Sequence, residues 1–162
     1  MIFKSISILS PVPADRLEDL REILREYEAS LDVSLCFQDF ERELETLPGE
    51  YAAPRGYLFL ALVDGRVAGC CALRPLDSAD YPNACEMKRL YVRPAFRGIG
   101  LGRQLAESCM DSARMAGYGH VLLDTLDSME AARTLYQELG FTEIPPYYHN
   151  PIAGAHYLKA SL

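Results

Sequence analysis

At 162 residues, with a net charge of −7 and 49% hydrophobic side chains, the chain is long enough for one packed core and too acidic overall to suggest nucleic-acid binding. No apolar run approaches the roughly 18 residues of a membrane span; the longest is Leu58 to Val63, and the start at Met1 opens no hydrophobic region long enough for a signal peptide. The five cysteines are odd in number and lack C-x-x-C spacing, and there are only three histidines, which argues for reduced, mostly buried thiols, no metal and a cytoplasmic setting.

Phe3 to Leu9 reads as a first strand. Leu17, Leu20, Leu24, Tyr27 and Leu31 recur at helical spacing behind an Asp15–Glu18 pair spaced as a capping box. Phe37, Phe40, Leu44 and Leu47 predict a second amphipathic helix, closed by Pro48-Gly49. Tyr57 to Val63 and Arg66 to Leu73 predict a hairpin turning at Asp64-Gly65. The next run, Cys85 to Val92, is apolar at odd positions (Cys85, Met87) and then at even ones (Leu90, Val92). A strict period of two cannot do both, so one residue must be absorbed near Lys88-Arg89, the mark of a β-bulge. After the glycine-rich stretch Arg97 to Gly102, a helix opens at Leu101, lined by Leu105, Ser108, Cys109, Ser112 and Ala116 and capped at Gly117. His120 to Leu126 is a fifth strand, Met129 to Leu139 a fourth helix with Gly140 past its end, and Phe141 to Ile144 and Ala155 to Ser161 supply the last strands. No linker, repeat or low-complexity segment interrupts this order, so a single domain over residues 1–162 is expected.

A glycine-rich turn between strand and helix leaves backbone N–H groups free at the positive end of a helix dipole, which suits a phosphate. The dinucleotide fingerprint does not fit, because the third glycine counted from Gly98 would fall at Arg103, and the Gly-Lys-Ser/Thr of a P-loop is absent. Charge supports an anion site. From Asp15 to Glu50 there are twelve acidic side chains against four basic, whereas Lys88, Arg89, Arg93, Arg97 and Arg103 surround one Glu86. A basic island on an acidic chain suits a polyanionic cofactor.

The segment from Glu86 to Gly102, a strand ending Leu-Tyr-Val-Arg-Pro before R-x-x-G-x-G, resembles the acetyl-coenzyme A signature of the GCN5-related N-acetyltransferase (GNAT) superfamily. Ala131-Ala-Arg-Thr-Leu-Tyr136-Gln-Glu-Leu-Gly-Phe141 resembles its later A-x-x-L-Y-x-x-x-G-F motif, and the order β-α-α-β-β-β-α-β-α-β-β is also the superfamily's. The resemblance implies an α+β fold, a mostly antiparallel sheet with a bulged fourth strand flanked by about four helices. It also implies acetyl-coenzyme A as cofactor, held by Leu90, Tyr91 and Val92 on the strand, by Arg97, Gly98, Ile99, Gly100, Leu101, Gly102 and Arg103 at the turn, and by Ala132 on the later helix. Met129 stands where many members carry Asn, which puts a side-chain contact to pantetheine in doubt.

Tyr136 is by resemblance the proton donor to the leaving thiolate, although burial could equally make it an electrostatic stabiliser. Transfer to an amine of pKa about 10.4 requires that amine to lose a proton first. Glu86, at the head of the bulged strand, is the candidate base, against the alternative of an exposed strand carboxylate paired with Lys88 or a neighbour. Cys70-Cys71 reads as buried thiols, not as a nucleophile. Tyr147, Tyr148 and Asn150 lie where members often bind acceptors, although the flanking Pro146 and Pro151 could simply make a rigid loop. The expected acceptor is a small or amino-acid-like amine. The competing readings are a protein lysine or N-terminus and a non-catalytic acyl-coenzyme A sensor; no nucleic acid or membrane partner is expected, and a homodimer stays open.

Overall fold

The computed structural model of the chain describes residues 5–31, 34–35 and 38–162. Seven strands form one sheet in the order β1 (Ile6–Leu9), β2 (Tyr57–Val63), β3 (Arg66–Pro75), β4 (Ala84–Val92), β5 (His120–Leu126), β7 (Ala155–Ser161) and β6 (Thr142–Ile144). The helices are α1 (Leu17–Ser30), α2 (Phe40–Glu45), α3 (Leu101–Met115) and α4 (Glu130–Glu138). Every neighbouring strand pair is antiparallel except β4 and β5, which are parallel and joined through α3. This is the α+β architecture and element order expected above.

β2 explains why the sheet is covered on both faces. Its sequence Tyr-Leu-Phe-Leu-Ala-Leu-Val is apolar throughout, and six of its seven residues are buried. Phe59, Ala61 and Val63 enter one core with Leu101, Leu105 and Cys109 of α3 and Val121 and Leu123 of β5. Leu58, Leu60 and Leu62 enter a second with Leu20, Ile23 and Leu24 of α1 and Phe40 and Leu44 of α2. A strand with apolar side chains at every position can sit only between two layers. α3 lies close on the sheet at Gly69, where a Cβ would fall 2.9 Å from the Tyr91 carbonyl oxygen and 3.0 Å from Leu105 Cδ1.

Three local expectations are corrected. Asp15 does not cap α1: it lies inside a 3-10 turn, Ala14–Arg16, in which the Arg16 N–H donates to the Pro13 carbonyl, and Arg16 takes the cap position without a side-chain bond. A residue already in a helical turn lacks the extended backbone that capping needs. The second helix is only six residues, because Asp39 at φ 56 leaves the helical region; Phe37 and the first strand's Phe3 lie outside the described residues. In α3 the buried stripe is Leu101, Leu105, Ala106, Cys109, Met110 and Ala113, while Ser108 and Ser112 are half-buried and Ala116 is exposed. The two hydroxyls keep partial access to water and the apolar side chains beside them turn inward.

Candidate active site

β4 and β5 are paired only at Ala84–His120, Cys85–Val121 and Glu86–Leu122. Beyond Glu86 the strands part, and among the described residues the edge of β4 facing away from β3 has no partner strand. The parting coincides with the bulge. Cys70 of β3 is opposite Tyr91 and Ala72 is opposite Lys88, so β4 spends one residue more than β3 over the same length. Arg89 absorbs it at φ 62. Met87 before the bulge and Leu90 and Val92 after it all pack toward the α3 core, while Tyr91 packs toward α1. The parity change in the sequence is therefore a real bulge at the predicted place.

The opening continues into a groove of about 710 Å3. Leu90, Tyr91, Val92, Arg97, Gly98, Gly100, Leu101, Gly102 and Ala132 line it, together with Ser128, Met129 and Leu135. Gly98 and Gly100 stand at φ 84 and 81, a left-handed backbone that disfavours any side chain, and a Cβ on either would point into open space. Gly100 is also the cap residue of α3, so the helix's first-turn N–H groups begin at the glycine end of the groove. A phosphate-bearing chain fits this cradle. Two expected cofactor residues do not line the groove: Ile99 packs its side chain against the α3 core, and Arg103 pairs with Glu138 and, at 4.0 Å, with Glu107.

The basic island is largely a set of ion pairs. Arg89 is buried and forms a two-pronged bridge to Glu43 of α2, both contacts at 3.0 Å. Arg93 pairs with Glu26 of α1 at 2.9 Å. These partners come from the acidic first half, so tertiary structure cancels two charge clusters that sequence keeps apart. Arg97 remains. It is exposed, its Nε donates to the Val92 carbonyl at 2.9 Å, its guanidinium lies over the Tyr91 ring, and among the described residues it forms no ion pair.

A narrower cavity of about 50 Å3 adjoins the groove, and the two share Tyr27, Leu31, Leu90 and Met129. Tyr136 lines it, buried and stacked at an angle on Phe141. Burial, helped by nearby Cys71 and Tyr27, holds this phenol well above its usual value of about 10. It is a neutral O–H donor at ordinary pH and a poor acid.

Glu86, the carboxylate expected as the base, does not line the cavity. It is fully buried. Its Oε1 accepts from Arg74 Nε at 2.7 Å and lies 3.8 Å from Lys88 Nζ; its Oε2 accepts from Tyr147 Oη at 2.7 Å. Burial alone would raise its pKa, but Lys88 and Arg74 outweigh it and hold the carboxyl below the usual range. A carboxylate with both oxygens engaged by donors is a positioned anion, and Tyr147 belongs to the same cluster.

The carboxylate that does face the cavity is Asp124 of β5. Its Oδ2 accepts from Tyr148 Oη and, at 2.9 Å, from Asn150 Nδ2. Gln38 Nε2 donates to the same Tyr148 oxygen at 3.2 Å, and Gln38 Oε1 accepts from Lys88 Nζ at 3.0 Å. Tyr148 and Asn150 thus meet at one point, with Asn150 on the cavity wall and Tyr148 behind it. The sequence reading missed Asp124. Its signal was a lone carboxylate after Val121-Leu-Leu123 in the strand beside the bulged one.

The cysteine expectation can be placed as well. Cys70, Cys71, Cys85 and Cys109 are buried free thiols, burial pushing Cys85 up to about 12 and Cys70 and Cys109 also well above the ordinary thiol range. No described helix is long and apolar enough to cross a membrane, and no group of three His, Cys, Asp or Glu among the described residues could hold a metal ion.

A sheet that opens beside a bulged strand, with a glycine turn and helix end at the mouth, defines the acyl-coenzyme A N-acyltransferase class of folds. Solved structures agree. A GNAT-family acetyltransferase from Staphylococcus aureus superposes with a TM-score of 0.79 at 20% identity, covering 97% of this chain and 99% of that one. The PaiA N-acetyltransferase of Thermoplasma acidophilum, solved in complex with coenzyme A, gives 0.73 at 18% identity, covering 98% and 100%. In sequence, residues 17–141 match the acetyltransferase (GNAT) family model. A Schizosaccharomyces pombe protein named as an uncharacterized N-acetyltransferase is 36% identical over 159 residues, 98% of this chain and 96% of that protein. A rat N-acetylaspartate synthetase is 32% identical over 105 residues, 64% of this chain and 34% of the synthetase. The chain belongs to the acetyltransferase (GNAT) family.

Proposed function

We propose that the protein transfers an acetyl group from acetyl-coenzyme A to the amine of a small, amino-acid-like acceptor, by direct attack within a ternary complex. One observation carries the reading: the unpaired edge of β4, the glycine turn and the start of α3 form a single groove that ends against a narrow cavity holding Asp124 and Tyr136. Acetyl-coenzyme A supplies an acetyl thioester, and transfer to an amine releases a free thiol. The turn at Gly98–Gly102 and the Arg97 guanidinium are the chain's phosphate-binding groups, and the open edge of Leu90–Val92 offers backbone groups to amides as an added strand would. Asp124 accepts the proton that an ammonium must shed, a loss that costs about 4.6 kcal/mol at pH 7 for a gap of about 3.4 units. Tyr136, kept neutral by burial, presents its O–H where a leaving sulfur needs a donor.

A cavity of about 50 Å3 supports a small amine over a protein segment, and a relative named for making an acetylated amino acid supports the same choice. The test is thiol release from acetyl-coenzyme A across amino acids, polyamines, aminoglycosides and short peptides, with acceptor-free controls. Turnover on one amine class, slowed about a hundredfold by Asp124→Asn or Tyr136→Phe, is expected. Silence throughout, with calorimetry still registering coenzyme A, would replace this reading with a non-catalytic acyl-coenzyme A sensor.

A further inference from the structure

The narrow cavity carries two opposite charges that do not meet. Lys88, with only 8% of its side chain exposed, lines one side and Asp124 lines another. Among the described residues no ion pair joins them. They are linked through two neutral side chains, Lys88 Nζ donating to Gln38 Oε1, Gln38 Nε2 to Tyr148 Oη, and Tyr148 Oη to Asp124 Oδ2. The remaining counter-charge to Lys88 is Glu86, at 3.8 Å and already bonded to Arg74 and Tyr147. Among the described residues Lys88 therefore has one full hydrogen bond for three donors.

We propose that Lys88, oriented by Gln38, reads a free carboxylate on the acceptor, whose amine lies against Asp124, so that the substrate is a free amino acid and not a simple amine, a polyamine or a peptide N-terminus. The proposal rests on the acetyl-transfer reading above. A polyamine would bring a second ammonium toward Lys88, and a peptide or amide would present a neutral group to a buried cation. A site built around a buried polar group rejects ligands that leave it unmatched, because the group has already lost its water. Burial, with Arg89 and Arg74 nearby, pulls the Lys88 ammonium below its ordinary pKa in spite of Glu86 and Asp124, so an added anion would restore part of what desolvation removed. Leu31, Leu35 and Ile152 complete the wall with apolar side chains.

The experiment compares each amino acid that turns over with its own carboxamide, which keeps the amine and removes the charge. The native protein should favour the free acid at least tenfold in kcat/KM, about 1.4 kcal/mol. In Lys88→Met the KM for the acid should rise and the preference collapse toward one, while Lys88→Arg should retain part of it. An amide used as well as its acid, or a preference that survives Lys88→Met, overturns the proposal. If no acceptor turns over, the acetyl-transfer reading fails and the binding question is still answered by calorimetric titration of the native protein with the same pairs. Binding of the acid and not the amide, lost in Lys88→Met, upholds the carboxylate site; equal binding or none refutes it. Thermal melts of each variant show that it is folded.

Discussion

The two ends of the opened strand β4 are built by different means. At the cofactor end the groove is made of backbone: a bulge, two left-handed glycines and a helix terminus, all within residues 89–103. At the other end, proposed above as the acceptor site, the cavity is made of side chains from distant segments, Gln38, Lys88, Asp124 and Asn150 among them, joined by hydrogen bonds spanning up to 110 residues of sequence. Under the function proposed above, backbone architecture serves one ligand common to a whole family, whereas side chains gathered from separate elements, which can be exchanged one at a time, would set the acceptor.

The largest expected effect tests the brace that holds the bulge at the backbone end. Glu43→Ala leaves the buried Arg89 guanidinium without its counter-charge and should cost about 3–5 kcal/mol of stability, read as a lower urea midpoint. The replacement also removes the hold on the bulge, so coenzyme A affinity should fall with it. At the backbone end, Gly100→Glu forces a side chain onto a left-handed residue and places a like charge in the cradle. It should weaken coenzyme A binding at least a hundredfold, about 2.7 kcal/mol, by calorimetry. Normal binding by this variant would dissolve the distinction between the two ends. A sharper version sets Arg97→Ala against Arg103→Ala. The first should lose about tenfold in coenzyme A affinity; the second, whose surface pairs are worth less than about 1 kcal/mol, should lose little.

The smallest effect is in pH. The Glu86 carboxyl is held below its unfolded value of about 4.3. Its contribution to stability is therefore complete above that value and is lost as pH falls through the lower folded one. Urea midpoints from pH 7 down to pH 3 should drop less steeply in Glu86→Gln than in the native chain, from a lower starting point.

How much of this could be read from sequence follows the same division. The bulge was legible because parity along Cys85 to Val92 has a strict period, and the hairpin because Asp64-Gly65 sits between two apolar runs. The glycine turn was legible because its residues are contiguous. The basic island was misread, since charge counted along a chain says nothing of which carboxylate folds against which guanidinium; Glu26 and Glu43 answer Arg93 and Arg89 from 67 and 46 residues away. Glu86 looked like a base because its partner Tyr147 lies 61 residues on and could not be seen. Asp124 went unnoticed because a single carboxylate in a strand has no pattern of its own.

The bulge itself has a consequence for inheritance. Arginine in a left-handed backbone is uphill by about 1–2 kcal/mol, and here it is tied by two hydrogen bonds and a ring contact to Glu43 and Phe40 of a six-residue helix. The gap that admits a cofactor is thus braced from the opposite face of the sheet by a helix that lines neither the groove nor the cavity. Lysine at position 89 could not keep the two-pronged brace, so a change at position 43 or 89 is expected to require a matching change at the other. A lineage altering either alone would change the width of its cofactor channel before it changed any residue that touches a ligand.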